Sequence, residues 1–370
     1  MWSYHNPVRI HFGIDSFETV SALVGSKNYL LVTYDEKIFH TLSRRLEEKA
    51  GAPSVIIDNI DTNPDLLNLE IACERMAHAK SKPEVIVAIG GGSIIDTAKV
   101  MAVGANGLDS VKEYLSSSGK LSPLPEKALP LVSIPTTAGT GSEVTCWATV
   151  WDSENKKKYS LARHDLYPME AVIDPKLMVG MPKRLTVSTG LDALSHSLES
   201  IWNVNANPVS TNYAIDAARR ILRYLGPLLK DLENLELRSQ VAIAATMAGL
   251  AISNTKTALA HSLSYPLTLN HSVPHGIACS FSLPGVMRSI IGVSAACDEA
   301  LCRIFGSNLK NASGDLAKFL ENMGVSTDYS SYGVSESVWV TWVEEAISGE
   351  RGRNFIGRKD SIIRELLVAT

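Results

Sequence analysis

The segment Glu84-Val-Ile-Val-Ala-Ile-Gly-Gly-Gly-Ser-Ile-Ile-Asp-Thr-Ala-Lys99 decides how the first half of the chain folds. Val85–Ile89 is a short, β-branched apolar run of the kind that fills a strand buried on both faces. Gly90, Gly91 and Gly92 then let the backbone turn and approach a ligand with no Cβ in the way. Ser93 opens a helix whose free N–H groups and positive dipole end suit a pyrophosphate. An ordinary strand-to-helix turn has the same composition, and the pattern is not the G-x-G-x-x-G of the standard dinucleotide fingerprint. Either way, a buried strand feeding a helix is half of a βαβ unit, which predicts a parallel sheet covered by helices.

The flanking sequence repeats that rhythm. Strands are expected at Val8–Phe12, Asn28–Thr33, Ser54–Asp58, Glu84–Ile89 and Leu129–Ile134, with helical periodicity over Asp35–Ala50 and Asp65–Ser81. Beyond Met181-Pro182 the pattern changes to Ala, Leu, Ser and Glu at three- and four-residue spacing, with breaks near Asn205–Pro208, Gly226-Pro227, His271–Gly276 and Gly306–Asn311. The expected architecture is therefore an α/β dinucleotide-binding domain with a parallel sheet over residues 1–181, followed by an all-α metal-binding domain over 182–370.

A second loop, Ile134-Pro-Thr-Thr-Ala-Gly-Thr-Gly-Ser-Glu143, also follows a strand and is dense in glycine and hydroxyls. Thr136, Thr137, Thr140 and Ser142 offer donors to a phosphate or a carboxamide. Two such loops in one domain point to a dinucleotide. Asp35, after the strand Tyr29–Thr33, reads either as an acceptor for a ribose hydroxyl or as a helix N-cap. Tyr34 precedes it, and which of the two side chains faces a ribose is open, as is NAD against NADP.

In the helical half, Thr189-Gly-Leu-Asp-Ala-Leu-Ser-His-Ser-Leu-Glu199 places Asp192 and His196 one turn apart on one helix face. Three more histidines follow in Ala260-His-Ser-Leu-Ser-Tyr-Pro-Leu-Thr-Leu-Asn-His-Ser-Val-Pro-His-Gly276. A carboxylate with imidazoles suits iron(II) or zinc with a position left for substrate. The same residue types also occur as helix-surface pairs and hydrogen-bonded core histidines.

Composition limits the partners. A net charge of −4 over 370 residues gives no case for nucleic acid or an anionic membrane surface. No uninterrupted apolar run approaches a bilayer span, and the N-terminal Met-Trp-Ser-Tyr-His-Asn-Pro does not read as a signal peptide. Five scattered cysteines without CxxC spacing suggest neither a disulfide framework nor a thiolate zinc site, and a cytoplasmic location is expected.

The motifs GGGSIID, IPTTAGTGSE, TGLDALSHSLES and HSLSYPLTLNHSVPHG, in this order, resemble the iron-containing (group III) alcohol dehydrogenase family. The resemblance implies a metal held by Asp192, His196, His261 and His275, as Fe(2+) or Zn(2+). It implies a pyrophosphate loop at Gly91, Gly92, Ser93 and Asp96, and a second cofactor loop at Thr136, Thr137, Thr140 and Ser142. Lys158 falls where the family has a lysine near the cofactor, and Asn63 falls near the adenosine end. A homodimer is the family-like assembly. Where many members carry a histidine four residues after the third ligand, this chain has Tyr265. A phenol, ordinarily a weak acid, is a poor base at neutral pH, so His271 is an alternative proton relay.

Such an enzyme takes a small aldehyde or alcohol, with hydride passing to or from the nicotinamide and the cation polarising the carbonyl. Lys256, five residues before His261, stands where many relatives have a small residue, and it favours an anionic substrate. Arg163 is a second candidate. The segments Glu199–Pro208, Asn254–Ala258 and Ser264–Thr268 are similar to the subgroup that reduces phosphonoacetaldehyde to 2-hydroxyethylphosphonate. The alternatives are a general short-chain alcohol or diol dehydrogenase, a dehydroquinate-synthase-like lyase, and a non-catalytic assembly protein.

Overall fold

A computed structural model describes residues 1–60, 64–104, 107–117, 124, 127–155 and 157–367, so Asn63 lies outside the described residues. The chain forms two compact units, one built on a sheet and one on helices.

The sheet unit comprises Asn6–Thr137 and Ser142–Met178. Its strands are β1 (Arg9–Phe12), β2 (Tyr29–Val32), β3 (Val55–Ile57), β4 (Val85–Gly90), β5 (Leu131–Pro135), β6 (Trp147–Asp152), β7 (Lys157–Ala162) and β8 (Glu170–Ile173). Six of them make one sheet in the order β1-β8-β5-β4-β2-β3, and every pairing is parallel. Helices α1 (Val20–Val24), α2 (Lys37–Ala50), α3 (Leu66–Ala77), α4 (Gly92–Val103) and α5 (Leu108–Ser116) supply the crossovers and cover. All six residues of β4 are buried. Because side chains alternate along a strand, Ile86 and Ala88 join Leu30 and Val32 under α3, α4 and α5, while Val85, Val87 and Ile89 join Tyr29 and Leu31 under α1 and α2. A continuous apolar run is therefore what this central position requires.

The five strands expected from the sequence form close to their expected limits, and three more appear. β6 and β7 pair as an antiparallel hairpin, with Trp147 opposite Ala162. β8 sits between β1 and β5. Its buried Glu170 accepts Arg9 Nη1 at 2.6 Å and lies 2.8 Å from His11 Nε2, both on the neighbouring strand.

The helical unit comprises Val179–Thr370 with two outlying pieces, Met1–His5 and Ala138–Gly141. Its helices are α6 (Lys183–Ile201), α7 (Pro208–Leu228), α8 (Leu235–Thr255), α9 (Leu259–His271), α10 (His275–Ser280), α11 (Leu283–Ile290), α12 (Ala295–Phe305), α13 (Ala312–Asn322), α14 (Glu336–Ser348) and α15 (Lys359–Leu367). Its described residues contain no extended strand beyond an isolated bridge between Asn203 and Phe355. The N-terminus is tied down by Tyr4 Oη donating to Leu250 O at 3.0 Å and by paired bonds between His5 and Asn254. The other piece lies so close to the helices that a Cβ on Gly139 would stand 2.6 Å from the Thr189 carbonyl oxygen. A Cβ on Gly141, whose φ is +63°, would stand 2.5 Å from Gly249 Cα.

The break expected near Gly226-Pro227 falls just after it, between α7 and α8. Pro227 lies in the last turn of α7, which ends one residue later. In the last turn a proline still removes the bond its N–H would make to the carbonyl four residues back, which suits a helix about to end. The entry to α7 is a capping box, with the Asn207 side chain accepting from Val209 and Ser210 amides and Pro208 at the first position. α8 has the length and mean hydropathy of a membrane span, 21 residues at 1.2, but 56% of that window is buried inside the unit. It packs on α6 and α7 through Ala244, Ala245, Ala248 and Ala251.

Candidate metal and cofactor sites

α6 is the spine of the helical unit, and every residue from Gly190 to Ile201 is buried. Its buried polar side chains nonetheless include Asp192, Ser195, His196 and Glu199. Ser195 is satisfied within the helix by the Leu191 carbonyl at 2.9 Å. The other three meet residues from α9 and α10.

His261, in the first turn of α9, brings Nε2 to 3.5 Å from Asp192 Oδ1. His196 Nε2 lies 3.6 Å from the same oxygen, and His275 Nε2, at the first residue of α10, lies 4.0 Å from it. The His196 and His261 rings stack at 4.7 Å, and His275 meets His261 edge-on at 5.5 Å. Donor atoms about 2.1 Å from a shared cation at tetrahedral angles stand roughly 3.4 Å apart. These separations therefore fit one cation. Asp192 Oδ1 and His261 Nε2 are buried with no hydrogen-bond partner. Orphaned buried atoms of this kind carry a full desolvation cost, which coordination would remove. Burial by itself raises the Asp192 carboxyl, but the imidazoles of His196, His261 and His275 outweigh it and hold the group below the usual carboxylate range.

Glu199 supports this arrangement from below. Fully buried, it accepts Ala258 N at 2.9 Å, Ala260 N, His261 N at 3.3 Å and, at 2.6 Å, the His261 Nδ1 hydrogen. One carboxylate thus caps the N-terminus of α9 and fixes which ring nitrogen of His261 faces Asp192. Buried carboxylates on both sides of His261 call for compensating positive charge, which a divalent cation provides.

Gly276 lets α10 come this close. A Cβ there would stand 1.8 Å from the Ser188 carbonyl oxygen and 3.1 Å from Asp192 Cβ. Gly276→Ala is expected to push α10 off α6, lowering stability by about 3 kcal/mol or more and separating His275 from Asp192. Denaturant unfolding and metal content per chain check this. A variant as stable and as metal-loaded as the parent would show that α10 moves freely.

A set of four donors among the described residues lies within 4.8 Å of one another: Asp192, His261, His275 and Cys279. This set includes Cys279, which the sequence did not single out, and does not include His196, whose Nε2 lies 3.6 Å from Asp192 Oδ1. Tyr265 stands beside the cluster, its ring parallel to that of His275 at 6.4 Å. The Arg351 guanidinium lies 4.9 Å over the Tyr265 ring and donates to Thr257 Oγ1 at 3.0 Å. His271 is ten residues beyond His261 on α9, about 15 Å along the axis, and its ring packs edge-on against Trp342 at 5.8 Å. The structure does not bring His271 to the cluster. Lys256 closes α8 with φ +64°, its carbonyl held by Asn203 Nδ2 at 3.1 Å. Its side chain is exposed and has no ion-pair partner among the described residues.

In the sheet unit, Gly91 is the N-cap of α4 and offers no side-chain cap, and the start of a helix is where backbone amides suit an anion. Gly90–Gly92 all have ordinary φ, so they are needed for space rather than for a left-handed turn. A Cβ on Gly90 would stand 2.4 Å from the Ile94 side chain, and one on Gly91 would stand 3.3 Å from that of Thr137. The two loops are thus neighbours, and Thr136 N donates to Gly90 O at 3.0 Å. Asp96 and Ser142 lock them together: Ser142 Oγ donates to Asp96 Oδ1 at 2.6 Å, and Thr149 N donates to Oδ2 at 2.8 Å. Lys99, which the sequence reading passed over, is fully buried and donates to Ser142 O at 2.7 Å and Trp147 O at 2.8 Å. Burial draws its ammonium down to about 8. Lys158 on β7 lies 5.0 Å over the Trp151 ring and acts electrostatically on Asp96. Thr140 belongs to the piece that groups with the helices.

Asp35 is not the N-cap of α2, a place taken by Glu36. Its exposed carboxylate lies 2.7 Å from His40 Nε2. Tyr34 instead turns towards Ser93, with which its hydroxyl shares a hydrogen bond. Arg163 forms a two-pronged pair with Asp165, Nε to Oδ1 at 2.9 Å and Nη2 to Oδ2 at 2.6 Å.

Comparison with known proteins gives the family. The profile described as iron-containing alcohol dehydrogenase matches residues 7–175, and that of the C-terminal part of the Fe-containing alcohol dehydrogenase family matches residues 186–369. The NAD-dependent methanol dehydrogenase of Bacillus methanolicus is 31% identical over 327 residues, 85% of this chain and 84% of that protein. The phosphonoacetaldehyde reductase of Streptomyces viridochromogenes is 33% identical over 240 residues, 64% of this chain and 60% of that protein. The crystal structure of sulfoacetaldehyde reductase from Bifidobacterium kashiwanohense, in complex with NAD+, superposes with a TM-score of 0.91 at 27% identity, covering 100% of this chain and 98% of that one. The chain belongs to the iron-containing alcohol dehydrogenase family and is an enzyme of that type.

Proposed function

We propose that this dehydrogenase reduces a short anionic aldehyde, phosphonoacetaldehyde, to 2-hydroxyethylphosphonate. Hydride leaves NADH or NADPH for the carbonyl carbon, and a proton reaches the carbonyl oxygen, giving the alcohol and the oxidised cofactor. The observation that carries the reading is a cationic side chain beside the candidate metal cluster, Arg351, which binds the threonine next to Lys256. Lys256 ends α8 next to Thr257, and Arg351 is fixed over Tyr265, which itself lies against His275.

Asp192, His196, His261 and His275 would hold the metal, which when bound supplies Lewis-acid polarisation of a carbonyl. Lys256 and Arg351 would then bind the phosphonate end, Arg351 through a planar fork suited to phosphonate oxygens. The Asp165 pair already occupies the Arg163 guanidinium, which weighs against that residue as an anion site. Tyr265, rather than His271, would donate the proton, because its ring lies against His275 whereas the His271 ring packs on Trp342. Gly91, Gly92, Ser93, Thr136 and Thr137 would cradle the cofactor phosphates, while Asp96 and Ser142 would hold the two loops in place. Two compared proteins are named for anionic two-carbon aldehydes, which supports the choice of substrate class.

The test is an NADH and NADPH oxidation screen over phosphonoacetaldehyde and propanal. Lys256→Ala and Arg351→Ala are each expected to raise the KM for phosphonoacetaldehyde about 10- to 100-fold, the worth of a charge-assisted hydrogen bond, and to leave propanal nearly unchanged. Equal effects on both substrates would instead make this a general dehydrogenase for small alcohols or diols with Lys256 merely solvated.

A further inference from the structure

We propose that Cys279 is a further donor to the metal, supplying a thiolate sulfur to the cluster of Asp192, His261 and His275; the inference rests on the metal reading of that cluster. Cys279 is the fifth residue of α10, one turn after His275 and on the same face. Its Sγ lies 3.5 Å from His275 Nε2 and 3.7 Å from Nδ1. The donor atoms of Asp192, His261, His275 and Cys279 lie within 4.8 Å of one another, and Cys279 is fully buried.

A buried cysteine is ordinarily an inert apolar filler. Cys73 is of that kind, packed among Leu69, Ala72 and Met76 in the sheet unit. Cys279 differs because its neighbours are metal-type donors, two of which have buried atoms without partners, Asp192 Oδ1 and His261 Nε2. Those orphaned atoms are an independent mark of a ligand at the same place. Gly276 brings Ser188 and Asp192 against the start of α10, so the turn carrying Cys279 is held against α6 by backbone packing.

When the sulfur coordinates, a metal–sulfur bond forms and the thiol proton passes to solvent. A thiolate is a softer donor than carboxylate or imidazole, so it favours zinc over iron(II) relative to a site without it. Cys279 would therefore shape which metal the enzyme retains.

The experiment is X-ray absorption at the metal edge of the full-length zinc-loaded enzyme, parent and Cys279→Ser, together with zinc affinity measured by competition with a chelator. The expected parent spectrum contains one sulfur scatterer at about 2.3 Å beside the nitrogen and oxygen shell. In Cys279→Ser that scatterer disappears while the nitrogen and oxygen shell persists, and zinc affinity falls roughly 10- to 100-fold. The parent spectrum stands alone as a test if the variant does not fold. A parent that binds zinc through nitrogen and oxygen only overturns the role of Cys279 and leaves the metal site intact. A parent that binds no zinc or iron overturns both.

Discussion

Asp192→Ala is expected to abolish metal retention and reduce aldehyde reduction on the order of 10³-fold, about 4 kcal/mol of lost transition-state stabilisation. Asp192 supplies the carboxylate oxygen faced by the Nε2 atoms of His196, His261 and His275, at 3.6, 3.5 and 4.0 Å. Without it, a cation would rest on neutral imidazoles in a buried site, a much poorer match for a divalent charge. The stability signature separates this from simple unfolding. In metal-free protein the imidazoles of His196, His261 and His275 hold Asp192 ionised, so its removal also costs the apo fold some stability, and the metal-induced gain is read against each protein's own apo form. The parent should gain about 2.7 kcal/mol when zinc or iron(II) is present at a hundred times its dissociation constant, and the variant should gain nothing. Calorimetry with and without metal reads both effects. A variant that still binds metal and reduces aldehyde at the parent rate would remove Asp192 from the site.

The sequence was most readable where one residue pattern had one physical use. β4 is buried on both faces, so an unbroken Val-Ile-Val-Ala-Ile run could only be a central strand or a buried helix, and the glycines after it decided between them. β7 was unreadable for the opposite reason. Lys157-Lys-Tyr-Ser-Leu-Ala is largely exposed and charged, and only its pairing with β6 makes it a strand. β8 is four residues long and begins with a glutamate that becomes buried only because Arg9 and His11 meet it from β1. The loop Ala138–Gly141 shows how a correct motif can hide a second constraint. The loop read as a cofactor loop for its hydroxyls, yet its glycines Gly139 and Gly141 lie against Thr189 and Gly249, distant in sequence.

The candidate site divides the same way. Asp192 and His196 share a helix face, so spacing revealed them, and the resemblance added His261 and His275. Glu199, Cys279 and Arg351 gave no local signal. Glu199 acts across to α9, 59 to 62 residues away in sequence, and Arg351 reaches back 94 residues to Thr257. Cys279 sits one turn after His275, and helical spacing could have exposed it had α10 been expected to begin at His275. Of the two readings of Asp35, the helix N-cap is excluded because Glu36 takes that place, while its exposed carboxylate pairs with His40 and Tyr34 turns towards Ser93.

Glu199→Gln is expected to cost both stability and metal affinity, because one buried carboxylate does two jobs. Burial raises its carboxyl, but His261 and the amides of Ala258 and Ala260 outweigh that and hold it below the ordinary range, so the group is built to be ionised. A carboxylate accepts from all four surrounding N–H groups; a glutamine of the same shape accepts with one oxygen and turns an NH2 group towards donors. At least one donor is then left unsatisfied in a fully buried place, at about 1–3 kcal/mol, and the thermal transition falls by several degrees. If the amide nitrogen faces His261, its Nδ1 must become the acceptor, which puts the proton on Nε2 and spoils that atom as a ligand towards Asp192. Metal affinity should drop roughly 10- to 100-fold, with activity recovering in part at saturating zinc or iron(II). That recovery distinguishes misoriented His261 from a collapsed fold, which no excess of metal repairs. Unchanged chelator competition and an unchanged melting temperature in Glu199→Gln would mean that His261 is positioned by packing alone.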